Sequence, residues 1–338
     1  MPGQSFCLRR MVLCLTLAHS GRVLRERAQM PGGLHMKSLT LTLVLSALPL
    51  AAFADVLEVQ KVTDDVWALV GPKSQRNTEN LGNNATFGVV VTSEGVVLMD
   101  PGGSWKGAEM IDATIDQITD QPVTYVIDTG GQDHRWLGNG YWQAQGATVI
   151  ASEAAVADHK DRQSMQMTML SQLLGDELAG TEPRYADVTF ETGHDLMVGG
   201  LTFQITHHGQ AHTPGDSFVW LKDRDVMFTG DIVYVERILG VGPQSNAKSW
   251  IETFEAMAAN EPTHVVPGHG HATTLEQARA DTYEYLVNLR SQIGTLIEEG
   301  GDIMDAPGID QSAFAGLEQF DSLAGRNAQT VYEEMEWE

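Results

Sequence analysis

The chain has 338 residues, only two of them cysteines, and carries a formal net charge of −24 at pH 7. This length suits one large domain or two small ones. The strong acidity argues against nucleic acid or an anionic membrane surface as a partner, because both are negatively charged themselves.

The first 54 residues predict an export signal preceded by an extension. Residues 1–35 are rich in arginine but show no folding pattern, and we interpret them as a mis-called N-terminal extension. Residues 36–54 join a basic start, an apolar run too short to span a membrane, and the cleavage signal Ala52-Phe53-Ala54, as in a secretory signal peptide. We therefore expect a mature protein that begins at Asp55, is periplasmic or secreted, and has no stable membrane association.

Beyond residue 55, short β-like runs alternate with helical patterns in two similar halves. The first half predicts strands at 56–62, 66–70, 87–92, 95–100, 122–127 and 147–151, with helices at 106–118, near 134 and at 153–174. The second half predicts strands at 187–190, 201–206, 217–221, 225–228 and 263–266, with helices at 247–259 and 275–299. This pattern predicts a four-layer αββα sandwich over residues 55–300, followed by an acidic C-terminal appendage at 301–338.

Three short turns, each beside a predicted strand, carry residues that bind metal ions. They read Ala-His-Thr-Pro-Gly-Asp with His212, Thr-Gly-Asp with Asp231, and Pro-Gly-His-Gly with His269. Imidazole and carboxylate groups bind zinc or iron, and both cysteines, Cys7 and Cys14, lie upstream of the mature chain. The turns therefore predict a metal centre built from His, Asp and Glu at the strand ends.

These motifs resemble those of the metallo-β-lactamase superfamily, and the likeness implies the αββα fold and a hydrolase. In that family the first ligand cluster reads His-x-His-x-Asp-His, and here the matching segment reads Gly-Gly-Gln-Asp-His-Arg over residues 130–135. An ungapped match places Gly130 and Gln132 at the two leading histidines, His134 at the aspartate and Arg135 at the last histidine. A shift by one residue instead matches Asp133 and His134 to the Asp-His pair.

We expect one metal ion, zinc with iron as the alternative, held by His134, Asp231 and His269. His212 would be a fourth ligand or the remnant of a second metal position. Such a centre activates water at neutral pH and suits attack on the carbonyl group of a small ester, thioester, lactone or lactam.

Four neighbours of this centre have predicted supporting roles. Asp133 is either a ligand or the general base that accepts a proton from the attacking water, so that Asp133, His134 and Asp231 are the catalytic candidates. The resemblance implies that Asp100 supports the ligands from behind, although a turn-capping role is equally consistent with its position. Gln132 would hydrogen-bond water in the vacant metal position, and Arg135 would either anchor an anionic substrate or pair with a nearby acid.

Two other functions are compatible with the same motifs. The loss of the leading histidines would suit a catalytically inactive periplasmic binding or assembly protein. A His, Asp, His set with open positions would also suit an iron-dependent sulfur dioxygenase. The retention of His212, Asp231 and His269 together favours the hydrolase over the inactive protein.

Overall fold

Seven strands form the first of two β-sheets in the computed structural model, which describes residues 56–338. Their order in the sheet follows the chain, with an antiparallel meander β1 to β4 and parallel pairing from β4 to β7. Parallel neighbours end at one edge, so the loops after β5 and β6 emerge side by side. The strands are β1 (Glu58–Lys61), β2 (Val66–Val70), β3 (Thr86–Thr92), β4 (Gly95–Met99), β5 (Val123–Ile127), β6 (Thr148–Ser152) and β7 (Val188–Phe190).

The second sheet has five strands in the order β12, β11, β10, β9, β8. Neighbours are antiparallel except β11 and β12, which run in parallel and therefore deliver their following turns to one edge. The strands are β8 (Gly193–Val198), β9 (Leu201–Thr206), β10 (Phe218–Leu221), β11 (Val226–Phe228) and β12 (His264–Val266). β8 is absent from the predicted elements because its buried residues are few and its outer face is polar.

Helices cover the outer face of each sheet. Side-chain caps begin several of them; Ser104, for example, accepts a hydrogen bond from the Gly107 backbone at the start of α1. The predicted helix 275–299 contains a single π-helical turn, Arg279–Tyr283, between α5 and α6. The helices are α1 (Trp105–Ile115), α2 (Asn139–Gln145), α3 (Glu153–Leu174), α4 (Ala247–Ala258), α5 (Leu275–Ala278), α6 (Glu284–Glu298) and α7 (Phe320–Met335).

Three buried hydrophobic clusters confirm the predicted four-layer order. Alternation along β4 shows how they form: Val97 and Met99 face the second sheet, whereas Val96 and Leu98 face α1 and α2. A third cluster joins the outer face of the second sheet to α4, α6 and α7. The fold is therefore a mixed α/β sandwich whose two sheets pack face to face between helical layers.

Residues 301–338, predicted as an appendage, pack into the same core as the rest of the second half. Leu323, Ala328 and Val331 of α7 belong to the buried cluster that contains α4 and α6. Asn327 accepts a hydrogen bond from Val241 and donates one to the Leu239 carbonyl. None of the helices within residues 56–338 combines the length and apolarity needed to cross a membrane. The predicted extension and signal peptide lie outside the described residues.

Candidate metal centre

Three strand ends bring His134, Asp231 and His269 together. His134 lies on a short 3-10 turn after β5, Asp231 on a similar turn after β11, and His269 in the loop after β12. The second turn requires glycine before the aspartate, because Gly230 has φ +48° and a Cβ there would lie 2.0 Å from Thr129 Oγ1. The Thr-Gly-Asp motif therefore allows β11 to end against the loop that carries His134.

The three side chains are buried and mutually close. One ligand atom from each lies within 4.8 Å of the other two. His134 Nε2 is 3.4 Å from Asp231 Oδ2, and His269 Nε2 is 3.2 Å from Asp231 Oδ1. Asp231 thus lies between the two imidazole rings, which makes the set a candidate metal-binding triad.

Backbone carbonyls orient the histidines that face the site. His269 Nδ1 is 2.7 Å from the Asn84 carbonyl, and His212 Nδ1 is 2.9 Å from the Gly240 carbonyl. In each ring a proton on Nδ1 leaves Nε2 as the atom available for a ligand. Burial lowers the pKa of His212 to about 4 and that of His269 well below its ordinary value. Both rings are therefore neutral at pH 7, as metal binding requires.

The residues present fit a metal ion. Within the described part of the chain, both ring nitrogens of His134 and Oδ2 of Asp231 are buried without a hydrogen-bond partner. Buried polar atoms are normally satisfied, and an ion shared by these groups would satisfy them. Two imidazoles and one carboxylate suit Zn²⁺ or Fe²⁺. His212 lines the same cavity but lies outside the group of mutually close ligand atoms.

Arg135 is fully buried and bridges two carboxylates beside the triad. Its Nη1 donates to Asp100 Oδ2 and its Nη2 donates to Asp231 Oδ1, each at 2.7 Å. Nη2 also contacts the Gly268 carbonyl at 2.8 Å. Of the two predicted roles for Arg135, the structure supports pairing with acid, because no part of the side chain is exposed to a substrate.

The guanidinium also sets the charge of the triad. Burial alone would raise the pKa of Asp231, but the adjacent Arg135 and His134 outweigh burial and hold that pKa well below its ordinary value. Asp231 is therefore ionised, with Oδ1 bound to Arg135 and Oδ2 free of hydrogen bonds within residues 56–338. One carboxylate oxygen of Asp231 consequently remains available for an ion.

Asp100 lies behind Arg135 and fixes the guanidinium. Its carboxylate accepts hydrogen bonds from the backbone and hydroxyl of Thr129, both at 2.8 Å, in addition to that from Arg135. Its backbone has φ +69°, a conformation that non-glycine residues rarely adopt. Asp100 therefore contacts the triad only through Arg135.

Asp133 pairs with a different arginine. Its Oδ1 accepts hydrogen bonds from Arg76 Nε and from the His134 backbone, both at 2.8 Å. Burial would raise the pKa of Asp133, but Arg76 and the adjacent His134 together outweigh burial and lower that pKa. A carboxylate so held is a weak proton acceptor at neutral pH, and Asp133 lies outside the triad. The geometry favours a role in positioning His134 and Arg76 over the predicted ligand and general-base roles.

The two missing histidines have different replacements. At Gly130 a Cβ would lie 2.3 Å from Asp216 Oδ1, so the Asp216 carboxyl occupies the space beside the loop. Burial, reinforced by the charge of Asp231, raises the pKa of Asp216 to about 8. Gln132 lines the cavity beside the triad, where its amide can contact water or a ligand. A histidine at position 130 is thus sterically excluded, whereas position 132 retains a polar side chain at the site.

Helix α3 supports the loop at residues 130–135 from behind, which no sequence pattern indicated. Gln166 donates to the Gly131 carbonyl at 2.8 Å, and His159 Nε2 is 3.0 Å from the Gly130 carbonyl. His159 is completely buried and stacks on Trp136, with ring centroids 4.5 Å apart. Its burial was not foreseen because the surrounding helix has a mixed polar and apolar sequence without a clear apolar face.

A cavity of about 440 Å³ opens beside the triad. His134, His212 and His269 lie in its wall, and Gln132 lies at one side. This volume falls within the usual range of small-molecule sites. The fold and site together define an αββα protein with a candidate metal centre facing a cavity of substrate size.

Comparison with known proteins agrees with this description. The model of the metallo-beta-lactamase superfamily matches residues 82–269. The metallo-beta-lactamase IND-1 of Chryseobacterium indologenes is 23% identical over 185 residues, covering 53% of this chain and 69% of that protein.

Solved structures show the same fold. A metallo-beta-lactamase from Pontibacter korlensis superposes with a TM-score of 0.56 at 23% identity, covering 69% of this chain and 99% of that one. The stereoselective inverting sec-alkylsulfatase Pisa1 from Pseudomonas sp. gives a TM-score of 0.64 at 13% identity, covering 82% of this chain and 50% of that one. The chain belongs to the metallo-β-lactamase superfamily, as its motifs predicted.

Proposed function

We propose that the protein is an exported, metal-dependent hydrolase that uses one zinc ion to hydrolyse a small ester, thioester, lactone or lactam. The observation that carries the proposal is the triad itself. His134 Nε2 and Asp231 Oδ2 are buried without hydrogen-bond partners among residues 56–338, and His269 completes the set at a cavity wall. A protein that had lost metal binding would have no physical reason to keep these atoms unsatisfied.

A bound ion would supply Lewis acidity and would lower the pKa of a coordinated water toward 7. The residues of the chain have complementary tasks. His134, Asp231 and His269 hold the ion, and the Asn84 carbonyl keeps Nε2 of His269 directed toward it. Arg135 keeps Asp231 ionised. His212, with its Nε2 free, can bind the ion or hydrogen-bond the oxygen of a substrate carbonyl.

Single-ion stoichiometry follows from the same contacts. Arg135 already provides a fixed positive charge beside Asp231, and the Asp216 carboxyl fills the space beside Gly130. A second ion would meet electrostatic repulsion from the guanidinium and would lack two histidine ligands. We therefore assign one ion per chain.

The test combines metal analysis with turnover. Purified protein is expected to bind one equivalent of zinc and to hydrolyse at least one member of a panel of chromogenic esters, thioesters, lactones and lactams. Asp231→Asn should lower both metal content and turnover, whereas Asp112→Asn, on helix α1 away from the triad, should change neither. A protein that binds no divalent metal would refute the metal assignment, and one that binds zinc without any turnover would refute the hydrolase.

Export of the protein and the identity of its metal ion are tested by separate measurements. N-terminal sequencing of protein recovered from the periplasm or medium should begin at Asp55. Reconstitution with iron in place of zinc should not improve hydrolysis or produce oxygen consumption with a persulfide. Greater activity with iron, accompanied by oxygen uptake, would replace the hydrolase with a dioxygenase.

A further inference from the structure

The cavity beside the triad is lined by several cationic side chains, although the protein as a whole is strongly acidic. Three arginines line it, Arg76, Arg237 and Arg326. Among the residues that the structure describes, no aspartate or glutamate belongs to the lining. In a chain with a formal net charge of −24, three cationic side chains in one cavity wall favour an anion as its ligand.

Arg237 is the cation that its surroundings satisfy least. Only 4% of its surface is exposed, and its Nε has no hydrogen-bond partner in the described part of the chain. Its guanidinium contacts the neutral ring of His269 at 3.5 Å and lies 5.8 Å from the centre of the Tyr234 ring. No carboxylate within residues 56–338 forms an ion pair with it, and a buried unpaired cation is costly.

Arg76 and Arg326 extend this positive surface. Arg76 uses Nε to bind Asp133, and its terminal nitrogens make no hydrogen bond to the described residues. Arg76 and Arg237 line the same cavity, so two guanidinium-bearing side chains share one wall. Two like charges directed into one cavity are stabilised by an anion between or beside them.

Part of the cavity wall is apolar. Met169 and Leu173 of α3 and Leu323 of α7 contribute to it. Leu173 is 39% exposed, a large value for a leucine beside a functional site. A ligand that covered these side chains would remove apolar surface from water.

We propose that this cavity binds an amphipathic small-molecule anion. Its carboxylate, sulfate or phosphate group lies against Arg237 and Arg76, and its apolar group lies against Met169 and Leu173. As the substrate class of the hydrolase this rests on the proposed function, but the binding of the anion stands independently of turnover. The scissile bond would then be held near His212 and the triad by contacts at both ends.

The experiment measures binding to the metal-loaded protein by titration calorimetry. The probes share a six-carbon chain: hexanoate, hexyl sulfate, hexan-1-ol and hexylammonium. We expect at least one anion to bind about tenfold or more tightly than the alcohol or the ammonium, since charge-assisted contacts to guanidinium groups are strong. Preference for hexanoate identifies a carboxylate substrate, and preference for hexyl sulfate identifies an oxyanion ester.

Two variants assign the effect to the arginines. Arg237→Gln should weaken anion binding about tenfold or more while hexan-1-ol binding is unchanged. Arg326 lies at an exposed position on α7, and Arg326→Gln should weaken anion binding severalfold. This variant provides the test if substitution of the buried Arg237 prevents folding. Arg184→Gln is the matched control, because Arg184 is an exposed arginine outside this cavity. Metal content is measured in each sample, so that loss of the ion is separated from loss of the guanidinium.

The outcomes separate this inference from the hydrolase proposal. Equal affinity for hexanoate, hexyl sulfate and hexan-1-ol overturns the inference, as does anion binding that neither arginine substitution changes. Arginine-dependent anion binding by a protein that hydrolyses nothing in the panel supports the inference and rejects the hydrolase. Hydrolysis of neutral esters with no effect of either arginine substitution supports the hydrolase and rejects the inference.

Discussion

Replacement of Arg135 by methionine tests the central electrostatic feature of the site. Arg135→Met retains much of the side-chain volume but removes a guanidinium that pairs with Asp100 and Asp231, both at 2.7 Å. The two carboxylates are 2% and 0% exposed and would remain buried. The carbonyls of Thr86 and Gly268 would each lose one hydrogen bond as well, although the Gly268 carbonyl keeps that from the Thr86 backbone N–H.

The expected loss of folding stability in Arg135→Met follows from the cost of an uncompensated buried charge. Removal of one partner of a buried ion pair typically costs about 3–5 kcal/mol. The two hydrogen bonds to carbonyls that are also lost keep the cost within that range, because the contacts form one network and do not add independently. For a domain of this size the midpoint of thermal unfolding should fall on the order of 10 °C.

Urea denaturation of wild type and Arg135→Met measures the loss, and Arg184→Met is the control. Arg184 pairs with Glu182 at the surface, where both side chains are mostly exposed, and its replacement should cost less than about 0.5 kcal/mol. Saturating zinc should restore part of the stability of Arg135→Met, because a second cation beside Asp231 replaces the lost one. A loss below about 1 kcal/mol, with the m-value unchanged, would refute the view that Arg135 neutralises the two acids.

The remaining predictions concern metal binding, pH and packing. His134→Ala should remove nearly all bound metal and His212→Ala only part of it, as measured by elemental analysis; equal losses would contradict the assignment of His212 to the edge of the site. Because burial raises the pKa of Asp216 to about 8, the protonated form stabilises the fold below about pH 4 and this stability is lost as pH rises through 8. Asp216→Asn should therefore become increasingly stable relative to wild type between about pH 4 and 8 in urea titrations, and parallel pH profiles would disprove a raised pKa. Gly130→Ala should cost about 1–3 kcal/mol because its Cβ would lie 2.3 Å from Asp216, whereas Gly316→Ala, with nothing within 4 Å, should be nearly neutral, and equal costs would show that the loop simply shifts.

The sequence predicted the layers of the fold and the three side chains that meet in the triad. The alternating apolar pattern predicted strands such as β2 and β9 with their observed limits, because strands buried on one or both faces carry a strong local signal. His134, Asp231 and His269 could be named because each lies on a short turn beside such a strand. The apolar pattern along the chain and the order of the strands were sufficient to predict the layers and the three triad residues.

The charge arrangement around the triad could not be predicted in the same way. Arg76 and Arg237 reach the cavity from loops far apart in the chain, and neither lies in a recognisable motif. The choice between the two roles of Arg135 depended on burial, which periodicity does not determine inside an irregular loop. Tertiary packing determines which polar side chains from distant parts of the chain meet. Their meeting is therefore seen only in the folded structure.

Helix α7 connects the end of the chain to the metal centre. Asn327 holds Leu239 and Val241 on either side of Gly240, and the Gly240 carbonyl orients His212. A chain folded without α7 would therefore keep the triad residues but would lack the fixed orientation of His212 and the cavity wall contributed by Leu323 and Arg326. Helix α7 thus ties the shape of the cavity to the completed packing of the second half of the domain.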